Sequence, residues 1–101
     1  MYKFGVLVSY DCTSSRIRNK IIDICFNFDL NRIQYSIFSG SLTSAALKDI
    51  IIAFKQVAKE DEPMSIFIQK VAIGDIKNFE LIEKRETELH KFHKYIKSKI
   101  I

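Results

Sequence analysis

Apolar residues in this chain fall in short runs whose period switches repeatedly between two and about 3.6, and that switching restricts the fold more than any other feature. Tyr2 to Tyr10 alternates, with Phe4, Val6, Val8 and Tyr10 on one face and Leu7 apolar on the other. This predicts a strand, and apolar residues on both sides place it centrally in its sheet. Ile17, Ile21, Ile24 and Phe28 then form one helical stripe over 16–28, with a cap hydroxyl from Thr13, Ser14 or Ser15. Asn27 to Asn31 is a polar break.

Arg32 to Leu42 is rich in β-branched and aromatic residues, and its eleven positions are long for one strand. Two short strands are expected, and Ser39-Gly40 is the best reversal by composition. Thr43 then caps a second helix running to about Lys59, with Leu47, Ile50, Ile51, Phe54, Val57 and Ala58 on one face. Glu60-Asp61-Glu62 and Pro63 end it. Met64 to Gln69 reads as a buried strand, and Asn78 to Ile82 as a further one.

The resulting order, β-α-β-β-α-β, is the ferredoxin-like split unit, an α+β fold. Here it is followed by an additional C-terminal strand. With 101 residues, three Gly and one Pro, the composition is that of one ordered domain, assigned to 1–83. A domain of this size gains stability by dimerising. Residues 84–101 are a basic tail with six basic and two acidic side chains, which carry the whole net charge of +4. Such a tail contacts phosphates or an acidic partner, or serves solubility alone. Leu89, Phe92, His93, Ile96 and Ile100 would be the stripe of a terminal helix, unless the end frays.

No apolar stretch reaches the ~18 residues of a membrane span, and the N-terminal run is too short for a signal-peptide core. A soluble, cytoplasmic protein with no membrane partner is therefore expected. Cys12 and Cys25 lack disulfide or metal-knuckle spacing and read as reduced thiols. There is no Gly-rich phosphate loop, no GxSxG elbow and no HExxH pair. His90 and His93 are one helical turn apart but lack a third ligand.

Asp11, at the carboxyl end of the first strand, remains. Its carboxylate suits Mg²⁺, which takes one or two carboxylates plus water and phosphate oxygens; it would equally serve as a cap. Arg16, Arg18 and Lys20 crowd the start of the first helix, against its macrodipole. Asp11, a bound phosphate, or Asp23 with solvent would compensate them.

The strand ending Tyr10-Asp11, the basic helix start Arg16-Ile17-Arg18-Asn19-Lys20-Ile21, the run Arg32-Ile33-Gln34-Tyr35-Ser36-Ile37-Phe38 with Gly40 and Leu42, and Met64-Ser65-Ile66-Phe67-Ile68 together resemble the CRISPR-associated protein 2 family. The likeness runs from about Tyr2 to Gln69 and loosens beyond. It implies a ferredoxin-like homodimer in which the additional C-terminal strand pairs with the partner subunit and Asp11 of each subunit shares one Mg²⁺ across the dimer axis. It makes Asp11 the metal-binding and catalytic residue, and Arg16, Arg18, Arg32 and Phe38 the nucleic-acid-binding residues, with Ser36 nearby.

Two roles follow from the resemblance. One is a metal-dependent endonuclease, a phosphodiesterase acting on RNA or DNA. The other is a non-catalytic bridge between dimers of the CRISPR integrase, the first CRISPR-associated protein, that holds duplex DNA during spacer acquisition. The alternative is a ferredoxin-like nucleic-acid-binding module outside that family, such as an RNA-recognition fold, although the RNP aromatic pattern is absent from the strands.

Overall fold

The switching period is realised element by element in the computed structural model, which describes residues 2–82. The basic tail 84–101, its helical stripe, His90 and His93 lie outside the described residues. The order is β1 (Phe4–Cys12), α1 (Ser15–Asn27), β2 (Asn31–Gln34), β3 (Ile37–Leu42), α2 (Ser44–Ala58) and β4 (Met64–Val71), then a 3₁₀ turn, Ile73–Lys77. The strands form one sheet in the order β2-β3-β1-β4, with every pairing antiparallel. This is the ferredoxin-like α+β arrangement the pattern predicts, and its doubly apolar strand is central.

Alternation decides which face is buried. Phe4, Val6, Val8 and Tyr10 of β1 and Phe38 and Leu42 of β3 join Ile17, Ile21 and Cys25 of α1 and Ile50, Phe54 and Val57 of α2 in one core. Ser14 caps α1 by accepting from the Ile17 amide at 3.2 Å, and Thr43 caps α2 by accepting from the Ala46 amide at 3.1 Å. At the end of α1, Asp29 takes the left-handed conformation at φ 60°. The Leu30 amide then bonds Cys25 O and the Asp29 amide bonds Phe26 O, each at 3.0 Å. That closing pattern turns the chain into β2 and seats Leu30 in the core.

Three expectations change. β1 continues to Cys12 because β4 extends its ladder, pairing Asp11 with Ser65 and Cys12 with Met64; Asp11 is thus the penultimate residue of the strand. The reversal within 32–42 falls at Tyr35-Ser36 instead of Ser39-Gly40, which lie inside β3. Gly40 answers a packing need: a Cβ there would stand 2.7 Å from Leu30 Cδ2. Asn78–Ile82 forms no ladder with the described strands of its own chain. The 3₁₀ turn carries the chain across the sheet face away from the helices, where a Cβ on Gly5 would meet Ile76 Cγ1 at 2.6 Å, and Phe79 reaches a pocket with Leu7 and Ile33.

Candidate nucleic-acid interface

The end of β1, the β2–β3 turn and the first turns of α1 converge on one open cleft. It measures about 510 Å³, and its lining includes Asp11, Arg18, Asn19, Arg32, Tyr35 and Ser36. Local sequence places each group. By the alternation of β1, Asp11 falls on the face away from the helices, with Leu7 and Ser9, and is exposed. Arg18 and Ile22 line the cleft from one stripe of α1, four residues apart. The Arg18 guanidinium donates to Cys12 O at 3.4 Å, tying the helix to the strand end.

Arg32 is positioned in more detail. A bulge between Arg32 and Gln34 interrupts the β2–β3 ladder, and such bulges re-aim side chains. The guanidinium lies over the rings of Tyr35 and Phe38, 5.6 and 5.8 Å from their centroids, within cation–π range. It donates to Gln34 O at 3.3 Å and to Tyr35 O at 2.6 Å. The same Tyr35 carbonyl accepts from the Tyr10 hydroxyl at 2.5 Å, and the Tyr10 amide bonds Ser36 O at 3.0 Å. Burial pushes the Tyr10 phenol above its ordinary range, so the hydroxyl remains a donor. Burial also drives the Cys25 thiol up to about 12. Both cysteines are free, as expected.

Phe38 requires a correction. Its side chain is fully buried, because the β3 register pairs it with Val8 and Arg32 on the helix-covered face. It packs edge-on to Phe26 and tilted against Tyr10. With no exposed surface in this chain it supports Arg32 from beneath and offers no ring face for a base to stack on. Ser36 lies in the reversal and lines the cleft through the turn that Tyr10 pins.

Arg16 is absent from the cleft lining. It sits two positions from Arg18, on another face of α1, and pairs with Glu60 and Glu62. Lys20 pairs with Glu60 as well. These contacts raise the Arg16 pKa. They also lower both carboxylates, Glu60 through Lys20 and then Arg16, and Glu62 through Ser14 and then Arg16. The acidic run after α2 therefore supplies the compensation that the basic helix start demands. The sequence signal for it was the pair of charge runs, whose contact depends on the fold bringing positions 16 and 60 together.

Tyr35, not among the residues singled out from sequence, joins Tyr10 to Arg32 through its carbonyl. With the reversal put at Ser39-Gly40, Tyr35 read as an ordinary strand residue. As for a metal, the described residues hold no group of three or more His, Cys, Asp or Glu side chains arranged for one. Among the described residues lining the cleft, Asp11 is the one carboxylate, and Arg18 and Arg32 line it with groups suited to phosphate. That donor set fits Mg²⁺ completed by water, phosphate oxygens and a second carboxylate; it does not fit zinc.

Residues 4–78 match the family described as CRISPR associated protein Cas2. The chain belongs to the Cas2 family. This sets aside the alternative of a module unrelated to CRISPR. A Pyrobaculum aerophilum relative, named CRISPR-associated endoribonuclease Cas2 2, is 41% identical over 54 residues, 54% of this chain and 59% of that protein. The chain thus aligns with less than two thirds of that relative's length. A Desulforudis audaxviator relative, named CRISPR-associated endoribonuclease Cas2, is 27% identical over 77 residues, 76% of this chain and 72% of that protein. Cas2 of Streptococcus pyogenes in its crystal structure shares 25% identity at a TM-score of 0.66, covering 78% of this chain and 99% of its own. Another Cas2 crystal structure gives 28% identity at a TM-score of 0.62, covering 85% and 92%. Among the described residues no helix is long and apolar enough to cross a membrane.

Proposed function

We propose that this Cas2 family protein acts in CRISPR adaptation as a cytoplasmic homodimer. In this role it binds the phosphate backbone of duplex DNA and bridges dimers of the CRISPR integrase. One observation carries the binding role: Arg18 and Arg32, from different elements, line the same open cleft. Two guanidinium groups converging from a helix and a hairpin are suited to phosphate oxygens. Contacts of this kind are independent of base sequence and weaken with salt. The sheet face away from the helices supports the dimer, since it carries the exposed Phe67 on β4. Asn78–Ile82 is available to add to a partner's sheet.

Sedimentation should give a dimer, and labelled duplex should bind with an affinity that falls in Arg18→Ala and in Arg32→Ala. A stable monomer, or affinity unchanged in both variants, would refute the reading. Failure of the protein to co-purify with the integrase would refute the bridging role.

A second reading is Mg²⁺-dependent endonuclease activity on RNA or DNA, favoured by Asp11 lining the same cleft as both arginines. The names of the two relatives agree with it. Two Asp11 carboxylates brought together across a dimer axis would need a cation between them. Asp11 and its symmetry mate would hold the Mg²⁺, which would supply Lewis-acid polarisation of the phosphate. Arg18 and Arg32 would orient the phosphodiester and offset the charge that grows on it. Cleavage of labelled RNA and DNA should be lost in Asp11→Asn; equal cleavage by both proteins would refute this reading.

A further inference from the structure

Arg16 and Lys20 are four residues apart on α1 and share one face. Both are engaged by the connection between α2 and β4: Glu60 bridges the two cations, and Glu62 takes the second arm of the Arg16 guanidinium at 2.5 Å. The connection is anchored at both ends, by α2 up to Ala58 and by β4 from Met64. Glu62 is also tied to Ser14, the cap residue of α1. The acidic side chains are therefore held over the N-terminal half of the same helix that presents Arg18 to the cleft.

DNA carries a charge about every 1.7 Å along its axis, so a duplex laid along α1 with one phosphate in the cleft would bring others near Arg16 and Lys20. The four charges of the ion-pair cluster, Arg16, Lys20, Glu60 and Glu62, sum to zero.

We propose that Glu60 and Glu62 act as an intramolecular competitor for nucleic acid, withholding Arg16 and Lys20 and holding down the affinity of the cleft. The inference rests on the reading that the cleft binds duplex DNA. It assigns the fixed phosphate contacts to Arg18 and Arg32 and makes Arg16 a masked cation. It also gives the acidic run a role beyond ending α2.

The test is fluorescence anisotropy of the full-length protein with a short labelled duplex, between about 50 and 200 mM salt. Glu60→Gln/Glu62→Gln should bind roughly tenfold tighter at the low-salt end, and its log–log salt slope should steepen by about 1.8, two added contacts at about 0.9 each. Adding Arg16→Ala and Lys20→Ala to that variant should remove the gain. Should the double Gln variant fold poorly, Glu62→Gln alone serves: with one arm of Arg16 released it should bind tighter with a steeper slope, a gain that adding Arg16→Ala removes. A double Gln variant with lowered melting temperature and unaltered affinity and slope would make the ion pairs a clamp alone and overturn the inference. A tenfold loss in Arg16→Ala would overturn it too. A wild type that fails to bind duplex at any salt would instead defeat the functional reading beneath it.

Discussion

Tyr10→Phe removes one oxygen atom and isolates the link between core and cleft. The hydroxyl donates to Tyr35 O at 2.5 Å from a side chain only 6% exposed. The substitution keeps the ring and its contact with Phe38, whose centroid is 6.5 Å away. It does not strand the acceptor, because Arg32 still donates to the same carbonyl at 2.6 Å. The expected loss is therefore the net value of one hydrogen bond, about 1 kcal/mol, and not the larger penalty of an orphaned buried group. In a domain of this size that lowers the melting temperature by roughly 4–8 °C. Thermal unfolding followed by circular dichroism at neutral pH measures it, with duplex affinity read on the same samples. Affinity should fall as well, since the turn that anchors Arg32 loses one of its two ties to β1. An unchanged melting temperature would show the hydroxyl is not engaged as described. A loss beyond about 3 kcal/mol would show that Arg32 does not satisfy the Tyr35 carbonyl.

Gly5→Ala should destabilise by about 1–3 kcal/mol in urea unfolding, because the new Cβ meets Ile76 at 2.6 Å and Val71 at 2.8 Å; a neutral substitution would mean the 3₁₀ turn does not lie against the sheet. The Cys25 thiol keeps its proton in the folded chain up to about 12, against an ordinary value of 9.0. Stability is thus unaffected by it below pH 9 and declines as pH rises from 9 towards 12. Cys25→Ala should flatten the urea midpoint from pH 9 to about 10, where the raised Tyr10 phenol begins to act with the same sign. Glu60 and Glu62 are both lowered from 4.5, so their small contribution is present above that pH and fades as pH falls below it. Added salt should shrink this acid-side slope; a slope insensitive to salt would place it on other carboxylates.

The fold was legible because β1 and both helices declare their periods locally. Phe4, Val6, Val8 and Tyr10, and the stripe from Ile17 to Phe28, needed no tertiary information. The reversal in 32–42 was hidden because Gly40 resembles a turn residue but is there to admit Leu30, whereas Tyr35-Ser36 turns without a glycine and is held by Tyr10. Asp11, Arg18 and Arg32 were legible as residue types, and the fold brings all three to one cleft. Phe38 was named on the family resemblance alone, and strand parity, fixed only by register, turns its side chain inward. The Arg16–Glu60–Lys20 cluster joins positions 40 and 44 residues apart, so spacing along the chain carried no sign of it.

A crystal structure of the dimer with a short duplex and Mg²⁺ tests the central claim most directly. The account predicts a backbone phosphate within hydrogen-bond distance of both Arg18 and Arg32, with the two Asp11 carboxylates facing each other across the dimer axis. A duplex bound elsewhere, with both arginines turned to solvent, would contradict it.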